Sequence, residues 1–174
     1  AGDDAVRLAA IGRAAASGAG VALTTRGGYG LTRLLPALPT KAIARAIGKG
    51  TKFIGFSDFT VLQLALLAQG GGVTWAGPAL CEGFGAGSAD DAAEGHGGAP
   101  GASGPDDIML ACFDDLLDGS AEGTGWRLPA PDAAALAGRR SLHLAHHAPL
   151  WGGNLAMVVS LLGTPWWPAV EGGV

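Results

Sequence analysis

Cysteine is nearly absent, with only Cys81 and Cys112 in 174 residues. Neither belongs to a C-x-x-C pair, so a disulfide-stapled scaffold is excluded and a reducing compartment is the simpler setting. Charge is also sparse: 11 Lys and Arg against 15 Asp and Glu give a net charge of -4. Without a basic stripe to meet a phosphate backbone, nucleic acid is not an expected partner. No apolar run reaches the roughly 18 residues of a spanning helix, and no signal peptide opens the chain. Both points favour the cytoplasm with no membrane partner, although a chain starting at Ala1 leaves room for a preceding segment. The phosphate-binding patterns G-x-G-x-x-G after a strand and G-x-x-x-x-G-K-[ST] are missing too, so no nucleotide cofactor is expected.

What the chain has is glycine, 31 residues of it, well above the usual ~7%. Hydrophobic residues make up 48%, enough for a buried core and too many for a disordered chain. The glycines fall between short patterned runs. Asp3 and Asp4 can cap a helix with Leu8, Ile11 and Ala15 on one face, and Gly18 and Gly20 end it. Val21 to Thr25 is a short run suited to a buried parallel strand. It leads into the turn Arg26-Gly27-Gly28-Tyr29-Gly30 and a short helix from Leu31 to Leu38. A second helix, Lys41 to Ile47, precedes a second strand, Phe53 to Phe56, and a third helix from Asp58 is apolar nearly all round, hence buried. Val73 to Ala76 makes a third strand, closed by Gly77-Pro78.

Alternating helices and strands with short glycine turns predict an α/β fold, a flavodoxin-like doubly wound parallel sheet. Ligands in such sheets sit at the carboxyl ends of the strands, where both the 26–30 turn and Ser57 fall. Residues 85–104 carry no apolar period and are expected to form a flexible insertion. A helical pattern returns after Asp106, with Ile108, Cys112, Leu116 and Leu117 on one face. Residues 129–138 read as loop. The expected division is a nucleophile-bearing α/β domain at 1–128, a linker at 129–149, and the start of a second, mixed α/β domain at 150–174. Gly172, Gly173 and Val174 look like the lead into a strand that does not follow, as in a fragment.

Chemistry concentrates at Gly55-Phe56-Ser57-Asp58-Phe59-Thr60. A strand that ends in a sharp turn before a helix exposes a nucleophile and aims the helix amides at the same point. A serine there, taken alone, is more often a helix cap. Gly55 fits a nucleophile elbow, whereas Phe59 stands where the G-x-S-x-G pattern has glycine. The Asp58 amide is the candidate oxyanion donor, and the glycines of the 26–30 turn could bind an oxyanion or simply make a tight turn. His96 lies in the insertion. His143, His146 and His147 could suit a metal, but they have no nearby cysteine or carboxylate and read as a partly solvated strand or loop, so no metal is expected. Trp151, Trp166 and Trp167 read as core, and Asn154 as a cap.

Taken in order, Arg26-Gly27-Gly28-Tyr29-Gly30, Gly55-Phe56-Ser57-Asp58-Phe59-Thr60, Trp75-Ala76-Gly77-Pro78, Gly152-Gly153-Asn154-Leu155 and Leu162-Gly163-Thr164-Pro165 resemble the LD-carboxypeptidase family of serine peptidases. The resemblance implies a cytoplasmic hydrolase, dimeric in its full-length form, that takes a small peptide and cuts the amide before a terminal D-residue. Murein tetrapeptide is the best-known substrate, which would place the enzyme in cell-wall recycling. A related branch inactivates a peptide-nucleotide antibiotic. By resemblance Ser57 is the nucleophile, and the amides of Asp58 and Gly28 form the oxyanion hole. The family's triad also needs a Glu and a His, and by the same resemblance both positions fall beyond Val174, while the first strands of the family's N-terminal domain are missing before Ala1. Glu171, His143, His146 and His147 do not match them. The chain as it stands is therefore expected to be inactive. A non-catalytic binding module on the same sheet, with Ser57 as a cap, is the reading from a different class, and a metal-binding protein using the histidine cluster is a third.

Overall fold

The computed structural model describes residues 2–85, 104–120, 128–138 and 149–171. The chain forms two compact units, one of Ala1–Asp106 with Trp151–Ala169, the other of Asp107–Leu150 with Val170–Val174.

In the first unit, helix α1 (Asp4–Ala16) begins where Asp3 accepts the Val6 N–H at 2.8 Å, satisfying one of the amides a helix start leaves open. Strands β1 (Val21–Leu23), β2 (Lys52–Gly55) and β3 (Trp75–Ala76) form one parallel sheet in that order. Val21 pairs with Lys52, and Ile54 with Trp75. The expected α/β class with a parallel sheet is observed, with β3 shorter than the sequence pattern. Between β1 and β2 the chain makes a 3-10 helix, Leu31–Ala37, and then helix α2 (Thr40–Gly48). Pro36 lies inside the former, where its missing N–H suits a short, tight element.

Helix α3 (Thr60–Ala68) is the centre of the unit, because its apolar surface meets two clusters at once. Leu62 and Leu66 pack with Ile43, Ala46, Phe53 and Phe59, against Ile11, Ala14 and Ala15 of α1 and Ala22 of β1. Val61, Leu64 and Ala65 pack with Leu35 and Leu161, against Met157, Trp151 and Trp167. Trp151 and Trp167 meet edge to face, with centroids 5.5 Å apart at 85°, as aromatic quadrupoles prefer. Helix α3 is thus buried as expected: each large aliphatic side chain shielded there is worth roughly 1.5–3 kcal/mol.

In the second unit, helix α4 covers Asp107–Asp118 and helix α5 covers Ala130–Ala135. Two expectations change there. Ile108 does not share a covered face with Cys112, Leu116 and Leu117, being 65% exposed while those three are partly buried. The stretch 129–138 is helical at its centre, because Pro131 in the first turn presets the helical φ and three alanines follow. Helix α6 (Leu155–Ser160) returns to the first unit, and Asn154 caps it by accepting the Met157 N–H at 3.3 Å. His96, His143, His146 and His147, residues 86–103 of the expected insertion and residues 139–148 of the expected linker lie outside the described residues. Among the described residues no helix is long and apolar enough to cross a membrane, and both Cys81 and Cys112 are free thiols.

Candidate active site at the end of the second strand

Strand β2 delivers the chain to the rim of the sheet in extended form, with Phe56 at φ -145° and ψ -174°. The next residue reverses it. Ser57 has φ +57°, the one positive φ among the described non-glycine residues. A side chain in that region is strained by about 1–3 kcal/mol, and such outliers gather where geometry serves function. The 3-10 turn Ser57–Phe59 and then α3 follow at once.

Local packing holds this bend. A Cβ on Gly55 would stand 2.7 Å from Phe59 Cγ and 2.8 Å from Thr24 Cγ2, so the strand must end in glycine for Phe59 to fold back over it. Phe59, the residue that departs from the G-x-S-x-G pattern, is 5% exposed and belongs to the core. Gly55 supplies the first glycine of that pattern, and a core aromatic packed against it fills the position of the second.

The cap reading does not describe the Ser57 hydroxyl. Phe56 is the cap of the 3-10 turn and Phe59 the cap of α3, neither with a side-chain cap bond, and Ser57 Oγ has no hydrogen-bond partner among the described residues. The Phe59 N–H donates to Phe56 O at 3.1 Å, whereas the Asp58 N–H has no acceptor among the described residues.

The 26–30 turn lies against this bend, since a Cβ on Gly27 would be 3.1 Å from Ser57 Cβ and 3.5 Å from its Oγ. Its backbone is pinned from three directions. Glu82 Oε2 accepts the Gly27 N–H at 3.0 Å. Arg7 of α1 donates to Tyr29 O at 3.0 Å and Gly30 O at 3.4 Å. Buried Asp58 accepts the Leu31 N–H at 2.8 Å through Oδ2. Gly28, at φ +77°, sits between these anchors, and its N–H has no acceptor among the described residues. The expected trio of Ser57, Asp58 and Gly28 therefore falls on two adjoining turns at the carboxyl edge of the sheet.

Against known proteins, residues 1–77 match the family model of the LD-carboxypeptidase N-terminal domain. These residues are similar to that peptidase domain. The solved muramoyltetrapeptide carboxypeptidase from Oxalobacter formigenes is 27% identical, with a TM-score of 0.63, and the match covers 98% of this chain and 49% of that one. The microcin C7 self immunity protein MccF in its wild-type apo state is 22% identical, with a TM-score of 0.62 and coverage of 96% and 50%. The same protein in complex with aspartyl sulfamoyl adenosine gives 21% and 0.63. At that identity the MccF matches establish the fold alone. The chain spans about half the length of the solved proteins it matches.

Around the glycine turn, sequence reasoning missed Arg7 and Glu82, whose contacts with it span 22 and 55 positions. It also missed the seam between Thr60 and Gly153, where Thr60 Oγ1 accepts the Asn154 N–H at 3.1 Å and a Cβ on Gly153 would collide with the Thr60 side chain. The one available signal was that Glu82 is the first acidic residue after Asp58, four positions past the Trp75-Ala76-Gly77-Pro78 motif. Among the described residues no group of three or more His, Cys, Asp or Glu is placed to hold a metal ion.

Proposed function

We propose that the full-length protein containing this chain is a serine-type LD-carboxypeptidase acting in the cytoplasm on murein peptides. Ser57 Oγ attacks the carbonyl carbon of the amide before the terminal D-residue. The oxyanion that forms accepts hydrogen bonds from the Asp58 and Gly28 amides, the D-amino acid leaves as its amine, and water releases the acyl group from the serine. The observation that carries this reading is the left-handed Ser57, strained at a strand end with its hydroxyl unspent. Commitment of the Gly27 N–H to Glu82 favours Gly28 as the donor from the glycine turn. The 27% identity to a muramoyltetrapeptide carboxypeptidase is what supports a murein peptide as the substrate.

The base and its orienting acid are not assigned to any residue of this chain. By itself the chain would retain at most the residual catalysis of an oxyanion hole, about 10³–10⁴-fold over water. The test is turnover of an L,D-linked tetrapeptide by the full-length protein, its Ser57→Ala variant and the isolated chain. Release of the D-amino acid by the first alone is the expected result. Turnover surviving Ser57→Ala removes the assignment.

A further inference from the structure

We propose that Glu82 is a positioning residue for the Ser57 reaction, acting through the Gly27 amide to hold the Gly28 N–H at its working place. The inference rests on the assignment of Ser57 and Gly28 above. Glu82 is fixed before it reaches the turn: after β3 the chain runs beside the extension of β1, with Leu80 N–H on Thr24 O at 2.8 Å and Cys81 N–H on Thr25 O at 2.9 Å. From the helical turn Leu80–Phe84 its carboxylate then spans to Gly27 and Arg26. Backbone bonds thus hold Glu82, Glu82 holds Gly27, and Gly27 lies against Ser57.

The two contacts of the carboxylate are unequal. Arg26 Nε stands 3.6 Å from Oε1, and the Arg26 side chain is 58% exposed, so this pair is solvated and contributes little. The Gly27 bond is partly buried, charge-assisted and 3.0 Å long, which makes it the stronger restraint. Its loss frees the amino-terminal side of the turn while Arg7 and Asp58 still hold the other side. The Gly28 amide then swings relative to Ser57, and an error of about 1 Å in such a group costs as much as 10²-fold in rate. Ground-state binding of the peptide, which does not yet carry the oxyanion, changes less.

The experiment uses the full-length protein and the L,D-tetrapeptide, beginning with Ser57→Ala. Turnover by that variant refutes the functional reading, whatever Glu82 does. With Ser57→Ala inactive, Glu82→Ala should lower kcat by about ten- to a hundredfold while KM moves by less than about threefold. Glu82→Gln keeps an oxygen at the same reach and should recover to within about fivefold of the parent kcat. Glu82→Asp keeps the charge and loses the reach, so it should fall below Glu82→Gln. A Glu82→Ala kcat within about twofold of the parent overturns the inference. So does Asp matching or exceeding Gln, an ordering that decides even where Glu82→Ala does not fold.

Discussion

The two ends of the same parallel sheet use the same residue types to opposite effect. At the amino ends of β1 and β2, Gly18, Gly20, Gly48 and Gly50 have nothing within 4 Å of where a Cβ would stand. Gly18, Gly20 and Gly50 border a depression of about 350 Å³ that is lined by alanines, glycines, Arg45, Lys49 and Thr51. At the carboxyl ends, Gly27, Gly55 and Gly77 are pressed to 2.7–3.1 Å by Ser57, Phe59 and Ile54. Glycine at the first end reverses the chain; at the second it removes a side chain so that a neighbour can fill the space. The glycines around the Ser57 bend cannot accept a methyl group without displacing a neighbour, whereas those bordering the depression can.

Substitutions can break this contrast. The largest effect belongs to Ser57→Ala, which should lower turnover of the full-length protein by at least about 10⁴-fold, read as D-amino acid release. Gly55→Ala should destabilise the fold by about 2–3 kcal/mol in a urea titration, because its methyl meets Phe59 and Thr24 at 2.7–2.8 Å and the packed core overfills. Asp58→Ala leaves the Leu31 N–H without its acceptor and should cost about 1–3 kcal/mol in the same measurement. Thr24 Oγ1 is buried without a partner among the described residues, so Thr24→Val, of matching shape, should be neutral or stabilising by about 1 kcal/mol. The smallest effect is at the open end: Gly48→Ala should stabilise by about 0.5 kcal/mol, since it ends α2 at an ordinary φ in free space. A Gly48 penalty matching that of Gly55 would erase the distinction between the ends.

Local signals in the sequence located the parts that local physics controls. The Asp3 cap, the three short strands and the apolar surface of α3 all follow from patterns a few residues long. So does the placing of Ser57 at a strand-to-helix junction. The left-handed Ser57 was not legible, because its φ is imposed by Gly55, Phe59 and Thr24 together, and Thr24 comes from another strand. Nor were the ties of Arg7 and Glu82 to the glycine turn, which only tertiary folding brings together. Helix α5 was readable in principle from Pro131 at its start and Gly138 after its end, but alanine-rich runs carry no apolar period.

The seam between Thr60 and Asn154 joins positions 94 apart, and it sets a timetable. Helix α3 starts three residues after Ser57, but Val61, Leu64 and Ala65 find part of their cover only in Leu161, Trp151 and Trp167. On a ribosome adding ~5–20 residues per second, that cover emerges roughly 5–20 s after the helix it shields. Through that interval an apolar stripe stands open to water directly behind the elbow, at the stage when a nascent chain is most prone to associate. Variants that weaken the seam, such as Gly153→Ala, should lower the soluble yield of newly made protein more than they lower the melting temperature of what has folded.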